Sequence, residues 1–406
     1  MNKEKIVNLK TSYSVSIVNN KVDSLRITDD KTTSIRVYDD NRIGVSGGVG
    51  EADEEKLTEN ATKNLDFGVN YPCDFTAGIK KSIDKSKTLP SADAFMKQVG
   101  SLINKLSEKY PDYIFSNKIN VETEKTEYSN SLDTELSYSD RVYNVSLLIK
   151  SKSSANIFDL GYGATNEVFD ENAIIRDVSV LLDAYGKIAE MPEKKLPVII
   201  DSEVLFGYVA EGVVADMFLS GASLFSGKKG QRIFNEKVDF LIDRSENNAR
   251  RAPFFDSEGV INDGYKFDII KNGVLTGLLA NKRTAKTYGI PVSGSAYSSF
   301  DSVPVTAGVG FACKETCEEV SEIVKGKAIY VCMTSGGDIT PAGDLGLPVM
   351  LAFLYEDGKL VARLPEFGIG GNLFDVLGKN FIGVCKNFVF GYDKQKTLLA
   401  YFDINK

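Results

Sequence analysis

The feature that most constrains the fold is the two-residue rhythm of the first 45 residues. Tyr13, Val15 and Ile17 fall on one side of an extended chain, with Ser14 and Ser16 on the other. That is the pattern of a strand with one buried face. Asn19-Asn20-Lys21, Asp29-Asp30-Lys31 and Asp39-Asp40-Asn41 read as turns separating strands at 22–28, 34–38 and 43–45, an antiparallel meander. The rhythm then changes to four. Leu57, Ala61 and Leu65 mark a helix, and a second starts after Pro90 with Ser91 as its cap and Phe95, Val99, Leu102 and Leu106 as its apolar stripe. Residues 113–160 read as long polar-faced strands whose pairing is not legible, and Ile174, Val178, Leu181, Leu182 and Tyr185 define a third helix.

Met191-Pro192-Glu193-Lys194-Lys195 is a charged connector and the expected boundary between an N-terminal domain, 1–190, and a C-terminal domain, 196–406. The second half opens with an apolar strand at 196–200 and a helix over 202–219. Strands are then expected at 238–242, 267–270, 274–279, 328–333, 349–355 and 398–402, with short helices at 315–324 and 372–377. Asn272-Gly273 and Asp357-Gly358 are hairpin turns, since both dipeptides tolerate positive φ. The expected class is α+β: antiparallel strands with packed helices first, then a domain dominated by antiparallel sheet.

Composition narrows the chemistry. The 406 residues contain no histidine, so imidazole takes part in neither acid–base catalysis nor metal ligation. The net charge of −8, with only short basic pairs such as Lys228-Lys229 and Arg250-Arg251, argues against tracking nucleic-acid phosphates. Residues 1–10 lack a signal-like apolar core, and no apolar run approaches the roughly 20 residues that span a bilayer. The five cysteines are odd in number and scattered, so reduced thiols and a cytoplasmic location are expected.

Several motifs carry less than they promise. Gly44-Val45-Ser46-Gly47-Gly48 matches G-x-S-x-G but has no histidine to activate the serine and sits in a meander. Ser226-Gly227-Lys228-Lys229 and Ser82-Ile83-Asp84-Lys85 both match S-x-x-K, in solvated surroundings. The 221–228 stretch imitates a phosphate loop with one residue too many and no following Ser or Thr. Cys313 and Cys317 are spaced to share a helix face, but without further ligands they read as buried thiols. Asp256 and Glu258 could hold a hard cation or simply form an acidic turn. Gly370, Gly371 and Asn372, ahead of a short helix, form a candidate peptide- or anion-binding turn, with helix capping by Asn372 as the plainer alternative.

The order of segments in the second half resembles the TldD/PmbA family, also called modulators of DNA gyrase. The resemblance runs through Ser223-Leu224-Phe225-Ser226-Gly227-Lys228-Lys229-Gly230, Phe254-Phe255-Asp256-Ser257-Glu258-Gly259-Val260 and Ile270-Lys271-Asn272-Gly273-Val274-Leu275-Thr276-Gly277. It continues through Ser335-Gly336-Gly337-Asp338 and Gly370-Gly371-Asn372-Leu373. TldD-like members of the family carry an HExxxH zinc motif, and PmbA-like (TldE) members lack it. Counting back from Phe225 places the motif at Phe206, Gly207 and Glu211, so the resemblance implies the PmbA branch, with no catalytic residue and no cofactor. It further implies a heterodimer with a TldD-like subunit that processes unfolded or leader peptides, this chain gripping extended peptide at a strand edge. The alternative is a stand-alone homodimer that binds peptides or another ligand. In the bland reading Phe206, Val209, Val213 and Met217 are the helix's buried stripe.

Overall fold

The computed structural model describes residues 1–192, 194–246, 252–308, 310–392 and 396–405. Arg250-Arg251 and the Glu193 of the connector lie outside the described residues. The opening rhythm becomes β1 (Asn2–Val18), β2 (Lys21–Asp39) and β3 (Arg42–Val49). Two of the three expected turns form, with positive φ at Asn19 and Asn20 and again at Asp40 and Asn41, as type I′ hairpins require. The third does not. Asp29-Asp30-Lys31 continues β2 in register opposite Thr11, Lys10 and Leu9. Cross-strand pairing with β1, not burial, holds this polar stretch extended, with Thr11 donating to Asp29 at 2.7 Å.

After α1 (Glu54–Lys63) come β4 (Lys80–Asp84), α2 (Ala92–Lys109), β5 (Tyr113–Asn130), β6 (Glu135–Ser151), β7 (Leu160–Asn166) and α3 (Glu171–Tyr185). The sheet order is β3-β2-β1-β5-β6-β4, with β7 also on β6. One sheet therefore serves separate cores at its two ends. Val15, Ile17, Ile119 and Val145 pack under α2 and α3. Ile35 and Val37 pack under α1, while Ile6, Tyr128, Leu136 and Tyr138 meet Phe254 and Phe255 of the second half. In α2, Ser91 accepts from Ala94 N at 3.2 Å, and the predicted stripe of Phe95, Val99, Leu102 and Leu106 is fully buried. Each such side chain contributes roughly 1.5–3 kcal/mol.

The second half is a ten-stranded sheet, mainly antiparallel, with a four-stranded sheet beside it. Its strand β8 (Val198–Asp201) is apolar at consecutive positions because both faces are covered. Val198 and Ile200 face α4 (Ser202–Gly212), and Ile199 faces the core of α2 and α3. The halves thus share a core through Ile199, Phe353, Tyr355 and Leu399. No helix among the described residues is long and apolar enough to cross a membrane.

The helix expected over 202–219 is broken. α4 stops, α5 (Ala215–Leu219) restarts, and between them Leu279 N donates to Val213 O while Ala215 N donates to Leu279 O, both at 2.9 Å. Pairing with a neighbouring chain segment replaces the helical bonds, and the register slip leaves Met217 46% exposed instead of in the stripe. The four-stranded sheet contains β9 (Phe240–Asp243), β10 (Lys266–Lys271) and β11 (Val274–Leu275). β11 ends four residues short of expectation, where Thr276 and Gly277 both donate to Ile269 O. α6 (Lys282–Tyr288) follows. The expected helix at 315–324 is instead a strand, Cys317–Glu319, leading into a four-residue helix, Val320–Ile323.

That strand overturns the reading of five reduced thiols. It lies parallel to Phe381–Asn387 with Cys317 opposite Cys385, Cα atoms 4.7 Å apart, and the two form a disulfide. Sequence spacing gave no hint, because the pairing is made by strands 68 residues apart. Closing a loop of that length stabilises by about 4 kcal/mol in the chain-entropy account. Thermal unfolding with and without a phosphine reductant should show a loss of several degrees, reproduced by Cys317→Ser in the absence of reductant. A midpoint that does not move would remove the bond from the stabilising interactions.

Candidate functional site

The positions aligned with the zinc motif sit on α4, whose N-terminus is capped by Asp201 accepting from Glu203 N at 2.9 Å. Leu205, Phe206 and Val209 face inward, and the Phe206 ring stacks on Phe240 with centroids 4.8 Å apart and planes 15° from parallel. Gly212 is a close-approach glycine: a Cβ there would lie 2.5 Å from the Phe225 ring. Outward, Gly207 and Glu211 are one turn apart and both exposed, and nothing stands within 4 Å of where a Cβ on Gly207 would be. Half-buried Tyr208 lies between them, its phenol pushed up by burial and then by the charges of Asp338 and Glu211.

A peptidase zinc does not fit this helix. It needs three protein ligands and a water. Phe206 is committed to an aromatic stack, Gly207 offers no side chain, and Glu211 is a single carboxylate. The described residues contain no group of three or more His, Cys, Asp or Glu poised around a common point.

The other sequence candidates are scattered. Gly370 lies in the strand Phe367–Asn372, paired to Gly346 on one side and Asp403 on the other. Gly371 has φ +136 and faces Val376. Asn372 accepts from Phe374 N at 3.1 Å and donates to Ala342 O and Asp344 at 3.0 Å, so it caps the helix Leu373–Val376. Ser46 is a strand residue opposite Ile35, and the glycines around it serve packing, since a Cβ on Gly44 would meet Ala61 O at 1.9 Å. Ser226 donates to Phe218 O at 2.9 Å, and Lys228 lies over the Phe374 ring at 5.5 Å. Cys313 and Cys317 share no helix: they occupy different strands and different cores. The thiols of Cys73 and Cys332 are each pushed up to about 12, chiefly by burial, which makes them poor nucleophiles.

Sequence reasoning missed a buried ionic cluster that joins the halves. Asp256 and Glu258 belong to it and are not an open cation turn. Asp256 accepts from Glu258 N, Val260 N and Ala296 N at 2.9, 3.0 and 2.9 Å. Glu258 accepts from Tyr71 OH at 2.5 Å and Lys282 N at 2.8 Å. Across the joint Glu4 accepts from Tyr38 and Tyr128 at 2.7 and 2.8 Å and from Arg36 Nη1 at 3.3 Å. Arg36 also donates to Ser257 O at 2.6 Å and to Ser298 Oγ. Lys282 Nζ closes the ring, 2.7 Å from Glu258 O and 3.8 Å from Glu4. Burial first, and then the Asp256 charge, raise the Glu258 carboxyl to about 7 against the pull of Lys282. Gly259, with φ +70, lets the Tyr128 ring approach, since a Cβ there would sit 2.5 Å from it. The available signal was Arg36 within the otherwise apolar run Ile35-Arg36-Val37, because a charge buried mid-strand needs a partner.

A mixed seven-stranded sheet joined through a shared core to a larger, mainly antiparallel one, with a helix poor in metal-ligating side chains packed on it, defines a two-sheet α+β protein. A family model described as the PmbA/TldA metallopeptidase C-terminal domain matches residues 193–402, and one for domain 1 matches 7–65. The chain belongs to the PmbA/TldD family. It is similar to a metalloprotease of Methanothermobacter thermautotrophicus, 26% identical over 212 residues, covering 50% of this chain and 46% of the relative. A metalloprotease of Methanocaldococcus jannaschii is 29% identical over 201 residues, covering 48% and 44%. The chain thus spans about half the length of these curated relatives. The fold is that of TldE from Thermococcus kodakarensis, with TM-score 0.79 and 18% identity over 100% of this chain and 97% of that one.

Proposed function

We propose that this chain is the non-catalytic, TldE-like partner of a TldD-type zinc metallopeptidase, acting as a heterodimer that processes unfolded or leader peptides. One observation carries the reading: where the family's peptidase helix needs two imidazoles and a carboxylate, this helix presents a core phenylalanine, a glycine and a single glutamate. Hydrolysis through zinc requires the ion to bring bound water to a pKa of roughly 7 beside a general base, and Glu211 alone supplies neither the ligands nor the pair. An open strand edge supports the peptide-handling role. Among the described residues, β7 pairs with β6 alone. Such an edge takes extended peptide through backbone hydrogen bonds.

The test is peptide cleavage by this chain, by a TldD-like chain, and by the two together, with zinc content measured in each. The isolated chain should cleave nothing, and the mixture should exceed the TldD-like chain alone by about tenfold or more in a chelator-sensitive way. Cleavage by this chain alone, or a mixture no better than the TldD-like chain, overturns the proposal.

A further inference from the structure

A pocket of about 210 Å³ opens between the β10–β11 hairpin, the loop at Lys229 and the segment after α6. Its volume is below the roughly 300 Å³ at which pockets enclose whole drug-sized ligands, so it suits a single side chain. The floor is apolar, built from Phe267, Leu278, Ile290 and Pro291. Gly277 fixes the back wall, where a Cβ would fall 2.3 Å from Asp268 O and 2.7 Å from the Phe267 ring. The rim is cationic. Lys271 is neutralised by Asp268 at 2.7 Å, whereas Lys229 has no ion-pair partner among the described residues. The chain that lines the pocket runs one residue on to Leu279, which bonds to Val213 and Ala215 at the break between α4 and α5. The pocket is thereby tied to the end of the helix carrying the degenerate motif.

We infer that this pocket seats the C-terminal residue of a peptide, with an aliphatic or aromatic side chain on the Phe267–Leu278 floor and the terminal carboxylate against Lys229. An apolar cavity with one uncompensated ammonium at its lip selects an apolar group joined to an anion, since the charge-assisted contact favours a carboxylate over an amide. Only the choice of a peptide as the source of that chemistry rests on the proposed function.

The experiment uses the isolated full chain, so its outcome is independent of any cleavage assay. Acetyl-Ala-Ala-Leu, its C-terminal amide and N-acetyl-leucine are titrated by calorimetry and saturation-transfer NMR, against the native chain, Lys229→Glu and Thr276→Tyr. The free-acid peptide should bind about tenfold tighter than its amide, Lys229→Glu should erase that preference, and Thr276→Tyr should weaken both peptides. Lys229 and Thr276 are exposed, so both variants are expected to fold, with unchanged thermal midpoints as the check. Equal affinity for acid and amide, no binding up to about 5 mM, or retention of the preference in Lys229→Glu would each refute the site. N-acetyl-leucine binding as tightly as the peptide would replace the peptide terminus with a free acyl amino acid and overturn the assignment.

Discussion

Arg36→Met should cost about 3–5 kcal/mol of unfolding free energy, the range for removing one partner of a buried ion pair. Arg36 is fully buried, and its loss strands more than one acceptor. Ser257 O and Ser298 Oγ lose their donor, and Glu4 keeps the Tyr38 and Tyr128 hydroxyls but has only Lys282 Nζ, 3.8 Å away, as a compensating charge. The intact cluster is not on that account strongly stabilising, because desolvating its charges offsets much of their attraction. What is large is the penalty for leaving it half assembled. Arg36→Lys, which keeps the charge but not the fork, should fall between the two. Glu4→Gln combined with Arg36→Met should recover about 1–3 kcal/mol relative to additivity. Urea unfolding at neutral pH measures all five chains: native, Arg36→Met, Arg36→Lys, Glu4→Gln and the double variant. A loss below about 1 kcal/mol for Arg36→Met would show that the joint between the halves does not depend on this residue.

The second large effect is a pH dependence of unusual sign. Glu258 has its carboxyl raised from 4.5 to about 7, by burial and then by Asp256. Between those values the folded chain holds a proton that the unfolded chain has released. The stabilisation is fully present below pH 4.5 and is lost as pH rises through about 7. At about 1.4 kcal/mol per unit, the amplitude is on the order of 3 kcal/mol. Glu258→Gln keeps an acceptor for Tyr71 or Lys282 N and cannot ionise. The stability of the native chain minus that of the variant should therefore decline from pH 4.5 to 7 and level off above. A difference that is flat, or that rises with pH, would mean that Glu258 is ionised throughout and held by Lys282. The carboxylates of Glu54, Asp84 and Asp159 are all lowered and act in the opposite direction, losing their contribution as pH falls. Subtracting the variant's profile removes them.

Local patterns were legible where a local force decides the structure. The stripe of α2 and its Ser91 cap, the I′ turns at Asn19-Asn20 and Asn272-Gly273, and the α+β class all follow from periodicity and from residues that tolerate special backbone geometry. The missing histidines likewise settled from composition that no imidazole chemistry operates here. Asp29-Asp30-Lys31 looked like a turn because polar runs usually are, yet β1 supplied partners that hold it straight. The break after α4 came from Leu279, the disulfide from two strands meeting in parallel, and the ionic cluster from Glu4, Arg36, Tyr71, Glu258 and Lys282 converging from five chain segments. Sequence determined what each short segment prefers, because helix and turn energetics act within a few residues. Only the tertiary structure decided which charges are buried together and which thiols meet, because those energies depend on distances between residues far apart in the chain.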